Sequence, residues 1–263
     1  MPFDDTSHPD LRIGLGADHV AMIEIDRPPD NYLDVDLASR IADAFEQLGA
    51  EPRCRAIVLC SNGKNFCAGA RLSPTADDLP TGDHNPLYTE VVRMFDCAVP
   101  IIAAVQGAAI GAGLGLALIA DFRVAGTYGR FGATFSRLGF HHGFGLSVTL
   151  PRVVGEQRAL EMLYTGRIVR SDEALGIGLC DRLVSGESAE VRDNAHELAR
   201  EIAMAAPLAV RSIRRTMRSH LVSEIQAATR REHAEQQVLR RTDDYREGVM
   251  AAADRRTPNF TGR

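Results

Sequence analysis

The stretch from position 99 to 120, VPIIAAVQGAAIGAGLGLALIA, constrains the fold more than any other part of the chain. It is long enough to cross a bilayer, but a proline, a glutamine and four glycines interrupt it. A run broken in this way predicts a buried strand, a tight turn and a buried helix instead of a membrane span. The glycines also let backbone N–H groups come close to another molecule or loop.

Apolar strands alternate with amphipathic helices around this stretch. Residues 36–50 carry apolar side chains on one helical face, with Asp36 as the expected N-cap and Gly49 as the expected stop. Further strands are predicted at 20–28, 55–60, 100–107 and 121–126, and a further helix is predicted at 88–98. From about Ser188 onward the pattern is almost wholly helical. This order predicts an α/β fold followed by an all-helical part.

Composition and charge argue against several classes of function. A net charge of −5 over 263 residues favours neither nucleic acid nor an anionic membrane as a partner. Five cysteines without a C-x-x-C pair, and an N-terminal segment without an apolar signal region, predict free thiols in a cytoplasmic protein. The arginine-rich stretch 211–220 predicts a helix face exposed to solvent or to another subunit.

Common catalytic motifs are missing from the sequence. It contains no G-x-G-x-x-G, no G-K-[ST], no G-x-S-x-G and no H-E-x-x-H. What remains is a pair of glycine-bearing loops, FCAGARL at 66–72 and GAAIGAGLG at 107–115, each of which follows an apolar strand. Two such loops can present converging backbone N–H donors as an oxyanion hole. Glycines that only permit close packing are an equally valid interpretation of the spacing.

Several successive blocks carry a resemblance to a known family. They are RAIVLCSNGKNFCAGARL, PIIAAVQGAAIGAGLGLALIADFRVAG, FGATFSRLGF and LPRVVGEQRALEMLYTGRIVRSDEALGIGLCDRLV, followed by the C-terminal DYREGVMAAADRRTPNFTGR. In this order they resemble the enoyl-CoA hydratase/isomerase (crotonase) superfamily. The resemblance implies a crotonase-like spiral of ββα units over residues 1–195. It also implies a helical region over residues 196–263 that assembles homotrimers or dimers of trimers.

The resemblance also implies a ligand and its contacts. The ligand is an acyl-CoA thioester, with coenzyme A as part of the substrate, no separate cofactor and no metal. By position, the two backbone N–H groups of the family's oxyanion hole fall on Ala70 and Ala112, where they would stabilise a thioester enolate. The implied CoA contacts are Arg27, Ala68, Arg71, Leu72 and Arg255.

The two glutamates with which hydratases of this family handle water are missing. Their positions align with Gly115 and Phe135, neither of which transfers protons. His142, in GFHHGFG, is the candidate to replace them as general acid or base near neutral pH, with His141 beside it. Tyr88 is a second candidate, because the helix that it begins borders the acyl pocket in the family.

These residues lead to two hypotheses. The first is an acyl-CoA enzyme, a lyase or isomerase of fatty acid metabolism. Its reaction is left open among hydration, double-bond isomerisation, decarboxylation and C–C hydrolysis. The second is a noncatalytic acyl-CoA-binding protein that has lost the catalytic acids.

Overall fold

The computed structural model describes residues 5–8, 10–70 and 85–263. The strands are β1 Asp5–His8, β2 Leu11–Leu15, β3 Val20–Ile25, β4 Ala56–Ser61, β5 Ile101–Val105, β6 Ala108–Ile110, β7 Phe122–Gly126, β8 Arg130–Gly132, β9 Ile168–Arg170 and β10 Arg182–Val184. The α-helices are α1 Val35–Ala50, α2 Pro86–Phe95, α3 Ala112–Ile119, α4 Leu146–Val154, α5 Glu156–Thr165, α6 Ser171–Gly176, α7 Ser188–Ala203, α8 Pro207–Met217, α9 Leu221–Leu239 and α10 Asp243–Ala253. A 3-10 helix covers Thr134–Leu138.

The strands form two sheets. The larger has the order β1-β2-β3-β4-β5-β7-β10, antiparallel from β1 to β3 and parallel from β3 to β10. The smaller has the order β6-β8-β9. Every residue of β3, β4 and β5 is buried, which explains their nearly continuous apolar sequences, because a parallel sheet is covered on both faces. The α/β prediction is confirmed.

Helix α1 begins earlier and ends later than its sequence suggested. The side chain of Asp34 accepts a hydrogen bond from the backbone N–H of Leu37, at 2.9 Å, and so caps the helix. The predictions of Asp36 as N-cap and Gly49 as stop were therefore wrong. The helix continues through Gly49, where a Cβ would make an ordinary van der Waals contact, 3.4 Å, with the backbone nitrogen of Ala98.

The interrupted apolar run folds as predicted into strand, turn and buried helix. It supplies β5, β6 and α3, and every residue of α3 is buried. Within the described ranges, no helix is both long and apolar enough to cross a membrane. All five cysteines are buried free thiols, as expected from their spacing.

Three of the four arginines of the predicted stripe, Arg211, Arg214 and Arg218, face the body of the protein, whereas Arg215 is exposed. Arg214 Nε lies 2.9 Å from Asp121 Oδ2, and Arg218 Nη1 lies 2.6 Å from Asp121 Oδ1. Arg211 donates to the backbone oxygens of Gly49 and Cys54. Burial alone raises the pKa of the Asp121 carboxyl, but the two guanidinium groups hold that pKa below its usual value. The prediction of a solvated or intersubunit stripe was therefore wrong for these three arginines, because the carboxylate just after α3 requires buried cations, and it holds for the exposed Arg215.

The C-terminal helices cover both the sheet and the loops. Helix α7 packs against β4, β5 and β7, and α9 contacts α2 and α4. Helix α7 is continuous across position 195, and the division of the chain after that position stays a prediction.

Candidate active site

Two backbone segments, one after β4 and one around β6, are joined side by side. The N–H of Cys67 donates to the oxygen of Ala108 at 2.8 Å, and the N–H of Ile110 donates to the oxygen of Cys67 at 3.0 Å. A Cβ on Gly113 would lie 2.0 Å from that same Cys67 oxygen. Glycine at position 113 is therefore required for the first turn of α3 to lie against the other loop.

The two predicted oxyanion donors lie at this junction. Ala112 is the first residue of α3, so its N–H has no acceptor inside the helix. Ala70 follows Gly69, whose φ of +120° is one that other residues rarely adopt and whose oxygen accepts from Leu33. Neither alanine is among the backbone donors found in the described residues. Both line the same cavity. We call these two N–H groups the amide lining.

Rings form much of the rest of the cavity surface. Phe135, Phe140 and Phe144 line it, and we call these three the aromatic lining. Phe140 is in edge-to-face contact with Phe135 and with Tyr245, with ring centroids 5.4 Å apart in each case. Such pairs fix ring orientation, so this part of the cavity is a rigid apolar surface.

Position 115, to which the sequence resemblance assigns the first glutamate, lies against part of this aromatic lining. A Cβ on Gly115 would lie 2.4 Å from Cδ1 of Phe144. Phe144 is almost completely buried and has a φ of +67°. The position of the second missing glutamate carries Phe135, whose ring faces the cavity. Neither position presents a group that transfers protons.

Tyr88 reaches the cavity, as its predicted role requires. Its hydroxyl donates to Gln236 Oε1 at 2.9 Å, and Gln236 Nε2 donates to the backbone oxygen of His141 at 3.0 Å. A Cβ on Gly143 would lie 1.9 Å from the hydroxyl oxygen, so glycine leaves room for it. Burial, assisted by the charge of Glu232, raises the pKa of Tyr88. The hydroxyl is therefore neutral at physiological pH.

His142 is not among the described residues that line the cavity. Its Nε2 lies 2.8 Å from Ser147 Oγ, and that hydroxyl donates to Glu232 Oε1 at 2.7 Å. Because the hydroxyl donates to the carboxylate, the imidazole Nε2–H donates to the hydroxyl. Burial and the neighbouring His141 lower the pKa of His142 to about 4. Its imidazole is neutral at pH 7 and is already engaged.

Glu232 is the fully buried centre of this hydrogen-bond group. Besides the hydroxyl of Ser147, it accepts from the backbone N–H of Gly145 at 2.8 Å and of Ser147 at 3.0 Å. It thereby satisfies the N-terminus of α4. Burial raises the pKa of its carboxyl. The group ties α9 to the loop that carries His142.

The predicted CoA contacts are only partly brought together. Ala68 lines the cavity, and its N–H donates to the backbone oxygen of Asp30. Arg27 instead pairs with Asp10 at 2.8 Å and with Asp34 at 2.6 Å. Arg255 is exposed after α10. Neither arginine is among the described residues that line the cavity.

The two remaining predicted contacts, Arg71 and Leu72, lie outside the described residues.

Four polar cavity residues escaped the sequence analysis: Asn85, Thr134, Gln236 and Arg240. Gln236 and Arg240 come from the end of α9 and line the cavity beside the aromatic lining. They are far along the chain from the glycine-bearing loops. The only local signal is their spacing of four positions, which places them on one helix face.

Comparisons with known proteins match nearly the whole chain. Residues 16–263 match the family model of enoyl-CoA hydratase/isomerase. The chain is 31% identical over 250 residues to (E)-benzylidenesuccinyl-CoA hydratase of Thauera aromatica, with 94% of this chain and 97% of that protein covered. It is 33% identical over 250 residues to carnitinyl-CoA dehydratase of Salmonella arizonae, with 91% and 94% covered. A crystal structure of enoyl-CoA hydratase/isomerase from Pseudoalteromonas atlantica superposes with a TM-score of 0.85 at 30% identity, with 96% of this chain and 100% of that chain covered.

Proposed function

Because this chain belongs to the enoyl-CoA hydratase/isomerase family, we propose that it is an acyl-CoA-processing enzyme whose amide lining stabilises a thioester enolate. The crotonase-like fold and the C-terminal helices predicted from the sequence are confirmed. The observation that carries the proposal is that Ala70 and Ala112, whose backbone N–H groups have no backbone acceptor in the described residues, line one cavity.

Two such donors suit an oxygen that gains negative charge. A thioester oxygen placed between them would accept two hydrogen bonds and would lie at the N-terminus of α3, where the helix dipole favours negative charge. This polarisation makes the α-carbon more acidic and the β-carbon of an enoyl group more electrophilic. Either effect serves addition of water, elimination of water or movement of a double bond.

The relatives' names favour addition or elimination of water. One relative is named a hydratase and another a dehydratase. The hydratase's name specifies an acyl group with a benzylidene and a succinyl part, and an aryl group would fit the aromatic lining here. Within the described residues, however, the cavity offers no carboxylate or imidazole. The same observation favours the second candidate function, a protein that binds acyl-CoA without converting it.

A panel of acyl-CoAs separates the two functions. Purified protein is incubated with enoyl, aryl and dicarboxylic thioesters, and mass spectrometry follows both bound ligand and product. A gain of water, a loss of carbon dioxide or a moved double bond identifies a reaction. Tight binding without any product identifies a binding protein, and absence of binding overturns both proposals.

Ala112→Pro tests the amide lining directly. Proline is tolerated at the first position of a helix and removes only the N–H there, and Gly111 before it is not a residue that proline's ring would crowd. We expect turnover to fall about a hundredfold or more, while the thioester C=O stretch of a carbonyl-labelled ligand returns towards its value in water. Ala112→Gly keeps the N–H and is the matched control. An unchanged C=O stretch in Ala112→Pro contradicts the assignment.

Assembly into homotrimers or dimers of trimers is part of the same proposal. Helix α8 turns Arg211 and Arg214 inward and leaves Leu208, Ile213 and Met217 largely exposed. Apolar side chains grouped on one helix in this way favour contact with another subunit. Sedimentation equilibrium tests this, and a monomer at micromolar concentration would overturn it.

A further inference from the structure

One side chain of the cavity is charged. Arg240 is the only Asp, Glu, Lys, Arg or His among the described residues that line it. It forms none of the ion pairs found within the described ranges. Its Nε is buried and has no hydrogen-bond acceptor in the same part of the chain. A cation in an apolar cavity is costly without a partner, so its presence there points to an anionic ligand group.

Arg240 is held in place by rings. Its guanidinium carbon lies 5.2 Å from the ring centroid of Phe140 and 5.9 Å from that of Tyr245. These cation–π contacts orient the group. Its backbone N–H bonds to Gln236 at the C-terminal end of α9, where a helix dipole favours a positive charge. The guanidinium is therefore fixed beside the aromatic lining before any ligand arrives.

The position of Arg240 indicates which part of an acyl-CoA its anionic partner would belong to. The cavity that contains Arg240 also contains Ala70 and Ala112, between which the proposed function places the thioester oxygen. The phosphates of CoA are separated from that oxygen by the whole pantetheine arm. An anion in the cavity therefore lies on the far side of the thioester, and a planar guanidinium is best matched by a carboxylate, which it can bind through two parallel hydrogen bonds.

We propose that Arg240 binds a second, free carboxylate on the acyl group, so that the ligands are CoA monothioesters of dicarboxylic acids. The inference rests on the proposed function, since it takes the acyl-CoA orientation from it. The aromatic lining then contacts the apolar part of the same acyl group. Thioester oxygen and carboxylate are fixed at two points, which selects against fatty acyl chains that end in a methyl group.

The test compares acids with uncharged isosteres of the same shape. Calorimetry measures binding of succinyl-CoA and glutaryl-CoA against 4-methylpentanoyl-CoA and 5-methylhexanoyl-CoA, in which two methyl groups replace the carboxylate oxygens. We expect the acids to bind about tenfold or more tightly than their isosteres. Arg240→Gln should remove that preference and Arg240→Lys should keep part of it.

Arg241→Gln is the matched control, since it removes the same charge from the next, exposed position. It should leave the preference intact. Equal binding of acids and isosteres by the unaltered protein overturns the inference, as does a preference that survives in Arg240→Gln. Both outcomes leave the proposed function standing, because thioesters still bind. If none of the four thioesters binds, the proposed function fails and the inference falls with it. The comparison within the unaltered protein decides the matter even if Arg240→Gln does not fold.

Discussion

The amide lining and the aromatic lining bound one cavity but are built in different ways. The amide lining consists of backbone, and it depends on where small residues let two loops meet, above all at Gly113 against Cys67. The aromatic lining consists of side chains. Phe144 lies against Gly115, and Phe135 stands at the other position to which the sequence resemblance assigns a glutamate. On the proposed function, the backbone would polarise the carbonyl, and any proton transfer would depend on other side chains.

Among the proposed substitutions of side chains around the cavity, Tyr88→Ala should have the largest effect on stability and ligand preference. Tyr88 lines both the cavity and a neighbouring groove formed with Thr89, Val92 and His233. Loss of the buried ring should lower the free energy of unfolding by about 3–5 kcal/mol and join the two spaces, so longer acyl groups should gain affinity. Chemical denaturation and an acyl-chain series measure both effects.

Tyr88→Phe is the control that separates the ring from its hydroxyl. It keeps the ring that divides the two spaces and loses the hydrogen bonds of the hydroxyl to Gln236 and to the backbone of Phe144, so unfolding should become easier by about 1–2 kcal/mol without a change in preferred chain length. A lengthened preference in this variant would show that the hydroxyl, not the ring, divides the spaces. A loss of turnover with unchanged binding would support the catalytic role predicted from the sequence.

Gly115→Ala tests whether the ring of Phe144 excludes a side chain at position 115. The added Cβ meets the ring of Phe144 at 2.4 Å, and such overpacking costs about 1–3 kcal/mol of unfolding free energy. In a Phe144→Gly background the cost should nearly vanish, because the ring is gone and glycine readily adopts the φ of +67° found there. A double-mutant cycle by urea denaturation measures the coupling. Additive costs would show that the ring does not exclude a side chain at 115.

The sequence singled out Ala70 and Ala112, and both line the cavity, whereas it did not indicate much of the side-chain lining. Ala70 and Ala112 lie in loops marked by local glycines and by ordered family blocks. The sequence around Arg240 does not indicate a role in the site, because only tertiary packing brings the end of α9 to the cavity. The fit of Phe144 against Gly115 also depends on two segments separated along the chain. Periodicity specifies elements, but which side chains meet depends on how those elements pack.

The α8 arginines also show that sequence spacing does not determine which side chains meet in the folded protein. Their i, i+3, i+4, i+7 spacing predicts one helix face, and Arg211, Arg214 and Arg218 do turn to the same side, while Arg215 is exposed. Spacing alone does not say which way that face turns. Asp121 determines it, because a buried carboxylate just after α3 pairs with Arg214 and Arg218.

His142→Asn should have the smallest effect on activity. With its pKa near 4 and its Nε2–H bonded to Ser147, His142 does not change protonation between pH 6 and 9. We expect turnover within about twofold of the unaltered protein and the same pH profile over that range. A large loss of turnover with binding retained would restore the proton-transfer role that the sequence suggested, and would require the imidazole to leave its hydrogen bond to Ser147.

The pH dependence of the free energy of unfolding is an independent test of the environment of His142. The pKa of His142 is lower in the folded protein than the ordinary value of about 6.5. Between these two values the unfolded chain therefore binds more protons, and the free energy of unfolding falls as the pH falls from 6.5 towards 4. His142→Asn should flatten this decline, while Ser147→Ala should preserve it if burial is the main cause of the shift. If the decline is as steep in His142→Asn as in the unaltered protein, another group causes it, and the imidazole is available for catalysis at neutral pH after all.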